Sequence, residues 1–119
     1  MKRSGSRLAV MMFLLGGCLA LGGARVQAQE AKLVERGKAV YKAQKCSMCH
    51  SIADQGNKKG PLDDVGKRLT AEELRLWLID PKVMTEKTKA ARKPPMPSYS
   101  AKLPKEDVEA LVAYMQTLK

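Results

Sequence analysis

The sequence predicts a small all-α domain in which three to four helices and ordered loops enclose one site. Apolar residues recur at spacings of three and four in three separate segments, the pattern of helices with one buried face. No segment alternates apolar and polar residues as a half-buried strand does. The length of 119 residues leaves room for one domain and a targeting segment.

The chain opens with a basic stretch, Met1 to Arg7, followed by an apolar run from Leu8 to Ala24 and the small-residue pattern Val26-Gln27-Ala28. Basic start, apolar middle and small-residue exit describe a secretory signal peptide over residues 1–28, with Ala28 the last residue removed. The alternative is an uncleaved membrane anchor, because the run is nearly long enough to span a bilayer. Residues 29–119 then form the domain. Cleavage takes away four of the 22 basic residues (Lys2, Arg3, Arg7, Arg25) and none of the 12 acids, leaving a net charge of +6. It also removes Cys18, so that the remaining two Cys and the single His lie in one pentapeptide.

The first helix is expected over Glu30–Lys45, where Leu33, Val34, Gly37, Val40 and Tyr41 share a face. Ser51–Arg68, with Gly56, Gly60, Pro61 and Gly66, reads as an ordered loop. Thr70-Ala71-Glu72-Glu73 is a capping box that starts a second helix, running to about Ile79 with Leu74, Trp77 and Leu78 as its buried stripe. Pro81 should end or bend it. Met84–Tyr99 carries Lys87, Lys89, Arg92 and Lys93 and then Pro94-Pro95-Met96-Pro97, where three prolines in four residues exclude a helix. The last helix begins near Pro104, has Glu106 and Asp107 in its first turn, and aligns Val108, Leu111, Val112, Met115 and Leu118.

Cys46-Ser47-Met48-Cys49-His50 is the C-x-x-C-H pattern of c-type haem attachment. Two thiols at this spacing can each add to one of two neighbouring vinyl groups, and the adjacent His falls under the iron. A structural zinc site needs four ligands, and no second Cys or His pair follows. A redox dithiol belongs in a βαβ context that the pattern lacks. A plain Cys46–Cys49 disulfide would close a short strained loop and leave His50 without a role.

Residues 31–119 resemble a class I monohaem cytochrome c. The resemblance rests on Gly37 and Tyr41 in the first helix, the Cys46-to-His50 motif, Gly60-Pro61-Leu62, Met96 between prolines, and Leu111 and Tyr114 in the last helix. It implies the small cytochrome c fold around one covalently bound haem c. The first and last helices should cross at Gly37 against Tyr114 and Leu111. It also implies that the Pro61 carbonyl accepts a hydrogen bond from the unligated nitrogen of His50, and that Trp77, Tyr99 and Arg68 are partners for the haem propionates. A thioether as second iron ligand raises the reduction potential. Met96, held between Pro95 and Pro97, matches the family's ligand, with Met84 or an open position as alternatives.

An iron bound by His50 and Met96 has no free position for a small-molecule substrate, so the expected function is a periplasmic one-electron carrier and not an enzyme. Two alternatives stay open: a haem subunit of a larger periplasmic oxidoreductase complex, and a gas-binding or peroxidatic protein with a labile distal ligand. Lys42, Lys45, Lys58, Lys59, Lys87, Lys89, Arg92 and Lys93 flank the motif and the Met96 segment, which suggests redox partner proteins with an acidic docking patch. Nucleic acid is a poor partner for an exported chain with only Trp77 and three tyrosines. A membrane enters only if the leader is retained.

Overall fold

Among the described residues the first and last helices cross closely, and shorter elements are strung between them. A computed structural model describes residues 20–119; Met1–Leu19, most of the expected leader, lie outside the described residues. The elements are α1 (Ala20–Ala43), a 3₁₀ turn (Cys46–Met48), β1 (Ser51–Ile52), β2 (Gln55–Gly56), α2 (Val65–Arg68), α3 (Ala71–Ile79), α4 (Pro81–Thr88) and α5 (Lys105–Thr117). The all-α expectation holds, apart from one antiparallel hairpin of two-residue strands.

Within the described residues α1 is already helical at Ala20, ten residues before the expected Glu30, and it passes through Gly22-Gly23 and Ala28 without a break. Among the described residues no helix is long and apolar enough to cross a membrane. α1 stops at Ala43, two residues before the expected end, because Lys45 turns to left-handed torsions (φ 53°, ψ 38°) and starts the 3₁₀ turn.

The largest helix interface joins α1 to α5. Ala110 is fully buried, and with Gly37 it removes the side-chain bulk that would hold the two axes apart. A β-carbon on Gly37 would meet the Ala110 backbone and the expected Tyr114 first, while Leu111 lies in the core cluster. That cluster combines Val40 of α1, Val65 of α2, Leu74 and Leu78 of α3, and Val108, Leu111, Val112 and Met115 of α5. Arg36 pairs with Asp107 at 2.6 Å, and Arg75 grips Glu109 with two bonds of 2.6 and 2.8 Å, tying α1 and α3 to α5.

The expected capping box is present: Glu73 N–H donates to the Thr70 hydroxyl at 3.2 Å, and Thr70 N–H donates to the Glu73 carboxylate at 3.1 Å. Leu74 and Leu78 are buried, whereas Trp77 is half-buried and outside the cluster, so the stripe is narrower than expected. Pro81 does end α3, but it also occupies the first turn of α4, capped by the Asp80 carboxylate. The start of the segment expected to be irregular is thus helical, and Met84 is a buried helix residue, 1% exposed.

Candidate functional site

Two thiols, one imidazole and a set of backbone carbonyls meet where α1 ends. The chain leaves α1 through the left-handed Lys45 and winds into the 3₁₀ turn, closed by Cys49 N–H to Cys46 O at 3.1 Å and His50 N–H to Cys46 O at 2.9 Å. Cys46 opens this turn and Cys49 caps its end, the first half-buried and the second exposed. Both are free thiols. Burial pushes the Cys46 thiol up to about 11 and so keeps it protonated.

Asn57 braces this turn. Its N–H donates to the Ser47 and His50 carbonyls, each at 3.0 Å, and its side-chain amide donates to the Met48 carbonyl at 3.0 Å. The preceding Gly56 adopts φ 105°, and a side chain there would strike the His50 carbonyl.

His50 Nδ1 lies 3.0 Å from the Gly60 carbonyl, which corrects the expectation that Pro61 accepts this bond. The shift by one residue follows from backbone pairing. Ser51 N–H donates to Gly60 O at 3.1 Å and Leu62 N–H donates to Ser51 O at 2.8 Å, so the Gly60 carbonyl faces the start of β1 and the His50 ring beside it. With Nδ1 as the donor, Nε2 keeps its lone pair for a metal. Burial lowers the His50 pKa, opposed by the Gly60 bond and reinforced by the Arg92 charge, which favours the neutral, ligating form.

Two tyrosines line the same region. Burial, followed by Cys46, pushes the Tyr41 phenol up to about 12, and its buried hydroxyl has no hydrogen-bond partner among the described residues. Its ring meets Tyr114 edge-on at 6.0 Å. Tyr99 is half-buried, and its pKa is raised by burial and then by Cys46 and Cys49. Met96 is half-buried, packs against the core, and borders a depression of about 420 Å³ shared with Ile79, Pro81, Thr85 and Ser98. Trp77 is half-buried on α3, and Arg68 is exposed with its guanidinium on the Asp63 carbonyl at 3.2 Å.

Arg92, Asn57 and Tyr41 were not foreseen as site residues. Arg92 donates to the Cys49 carbonyl and fills the space over Gly60. In sequence it was one basic residue among four. Asn57 carries a weak signal, an Asx residue between glycines.

Residues 34–119 match the family model described as Cytochrome c. The chain belongs to the cytochrome c family. It is therefore a haem-based electron-transfer protein with the small cytochrome c fold. The residues here suit that group: two free thiols begin and end one turn, the imidazole has Nδ1 fixed and Nε2 left for a metal, and the buried Tyr41 hydroxyl lacks a partner among the described residues. The cytochrome is also 29% identical over 105 residues to cytochrome c oxidase subunit 2 of Alkalihalophilus pseudofirmus, a match covering 81% of this chain and 29% of that relative. The chain thus spans less than a third of that relative's length. No solved structure matches it.

Proposed function

We propose that this cytochrome is an exported, periplasmic one-electron carrier with a single haem c, joined by thioethers to Cys46 and Cys49 and ligated by His50 and Met96. The observation that supports this most is the joining, on one turn, of two free thiols with a histidine whose Nδ1 is committed to the Gly60 carbonyl. Bound there, haem supplies a one-electron ferric/ferrous couple. Cys46 and Cys49 would hold the haem by thioethers, each S–H adding across one vinyl group, and the Gly60 bond would keep the imidazole in its ligating tautomer and raise its basicity. Met96, between Pro95 and Pro97, contributes the soft second ligand that raises the reduction potential. Tyr99 and Trp77 serve as polar neighbours of the propionates. The basic start, apolar run and Val26-Gln27-Ala28 pattern support export.

Mass spectrometry of the denatured protein, after expression with a haem-attachment system, tests this reading. One added haem mass is expected, lost in a Cys46→Ala, Cys49→Ala double variant. A folded wild-type protein without that mass would overturn it.

The similarity to an oxidase subunit favours a second reading, in which the same electron transfer runs as a fixed relay within a larger oxidoreductase. Co-purification of the tagged protein from its own membranes and periplasm separates the two. A diffusing carrier runs alone, whereas a relay brings stoichiometric partners with it.

A further inference from the structure

Arg92 joins two parts of the site that lie far apart in sequence. It stands four residues before Met96, and its Nη2 donates to the Cys49 carbonyl, 43 positions away. Its Nη1 occupies the space that Gly60 leaves by having no side chain. A β-carbon at Gly60 would collide with that nitrogen and stand 2.5 Å from the Cys49 oxygen. The same Gly60 carries the carbonyl that holds His50. One planar guanidinium thus sits against the turn bearing the thiols and the glycine that orients the imidazole. A lysine ammonium cannot copy this, because it lacks the flat fork. The neighbouring Lys89 and Lys93 have no ion-pair partner among the described residues, so Arg92 is set apart from them by contact and not by charge.

We propose that Arg92 is a positioning residue, a latch that holds segment 89–97 against the attachment turn and thereby limits how often Met96 leaves the iron. The consequence for Met96 rests on the axial assignment proposed above; the latch itself does not. Displacing Met96 requires the segment to swing away, and every opening must break the Arg92 bond to the Cys49 carbonyl. Local opening depends on the few contacts that hold a segment, so losing a charged donor from an exposed one should raise the open population about tenfold.

The test uses the haem-loaded protein and two readouts. In Arg92→Ala and Arg92→Lys, the backbone amides of Lys89 and Ala90, which donate to the Thr85 carbonyl, should exchange with solvent about tenfold faster, and ferric protein should bind imidazole about tenfold more tightly by absorption titration. The thermal midpoint should stay near that of the wild type. Gly60→Ala, which fills the seat while leaving Arg92 in place, should raise both readouts, and Lys93→Gln should raise neither. Wild-type exchange in Arg92→Ala would overturn the latch. So would tighter imidazole binding without faster exchange, because the arginine would then act through its charge alone. If Met96→Ala leaves the ferric spectrum unchanged, it is the axial assignment that fails, and exchange at Lys89 and Ala90 still decides the latch.

Discussion

Gly37 and the Ala110 backbone touch at the crossing of α1 and α5: a β-carbon on Gly37 would stand 2.7 Å from both the Ala110 carbonyl carbon and the Tyr114 β-carbon. Neither neighbour is the flexible end of a side chain, so the helices themselves would have to move apart. Gly37→Ala should therefore destabilise the protein by about 1–3 kcal/mol, although alanine is the better helix former at an open site. Denaturant titration checks this, and a stability equal to or above wild type would mean that the helices are free to separate.

Met84 and Met96 should part company when each is truncated. Met84 is 1% exposed on α4, so Met84→Ala should lose about 2–5 kcal/mol of stability, with little change in reduction potential. Met96→Ala should lower the potential and admit exogenous ligands, with a smaller loss of stability from its half-buried position. Voltammetry together with thermal melting of both variants measures this. A potential that falls only in Met84→Ala would transfer the ligand role to α4.

The Arg75–Glu109 pair should give stability an acid limb. The Arg75 bond holds the Glu109 carboxyl below its usual 4.5, so its contribution is present above that value and is lost as pH falls through the lower folded value. Both side chains are about one-third exposed, which limits the contribution to roughly 0.5–1 kcal/mol after solvent screening. Glu109→Gln should thus cost that much at pH 7 and almost nothing at pH 3. Equal losses at both pH values would point to packing instead.

Partner docking should be electrostatic. Lys58 and Lys87 are paired with Asp54 at 3.3 Å and with Glu73 at 3.0 Å, whereas Lys89 and Lys93 have no ion-pair partner among the described residues. If the redox partner presents acids, reversing Lys89 and Lys93 to Glu should slow bimolecular electron transfer at low salt on the order of tenfold. The wild-type rate should fall as salt rises from 0.01 to 0.15 M, where the Debye length drops from about 30 to about 8 Å. Stopped-flow rates at several salt concentrations measure both, with Lys119→Glu as the remote control. Equal slowing by Lys119→Glu would move the docking surface elsewhere.

What could be read in the sequence was local. The Thr70–Glu73 box, the helical face of Gly37, Val40 and Tyr41, and the Cys46-to-His50 motif each depend on residues within one or two turns, and each folds as its spacing implies. α4 was missed because Pro81 acts as both stop and start, a choice decided by the Asp80 cap. The exchange of Pro61 for Gly60 depends on backbone pairing around Ser51, and the Arg92 contact spans 43 residues; neither leaves a periodic trace. Asn57 is an ordinary loop residue until the carbonyls it serves are seen folded around it.

The pairing of Arg36 with Asp107 closes a ring of chain 71 residues around. The entropy of closing such a ring grows only with the logarithm of its length, so ten residues inserted between α4 and α5 would add about 0.1 kcal/mol to its closure. For the fold, the length of that connection is almost a free variable. It is tightly constrained only if Arg92 must reach the Cys49 carbonyl while Met96, four residues on, supplies the second ligand proposed above. Variants lengthened after Met96 should therefore fold as before, and those lengthened between Arg92 and Met96 should fold equally well yet lose their spectroscopic and redox character.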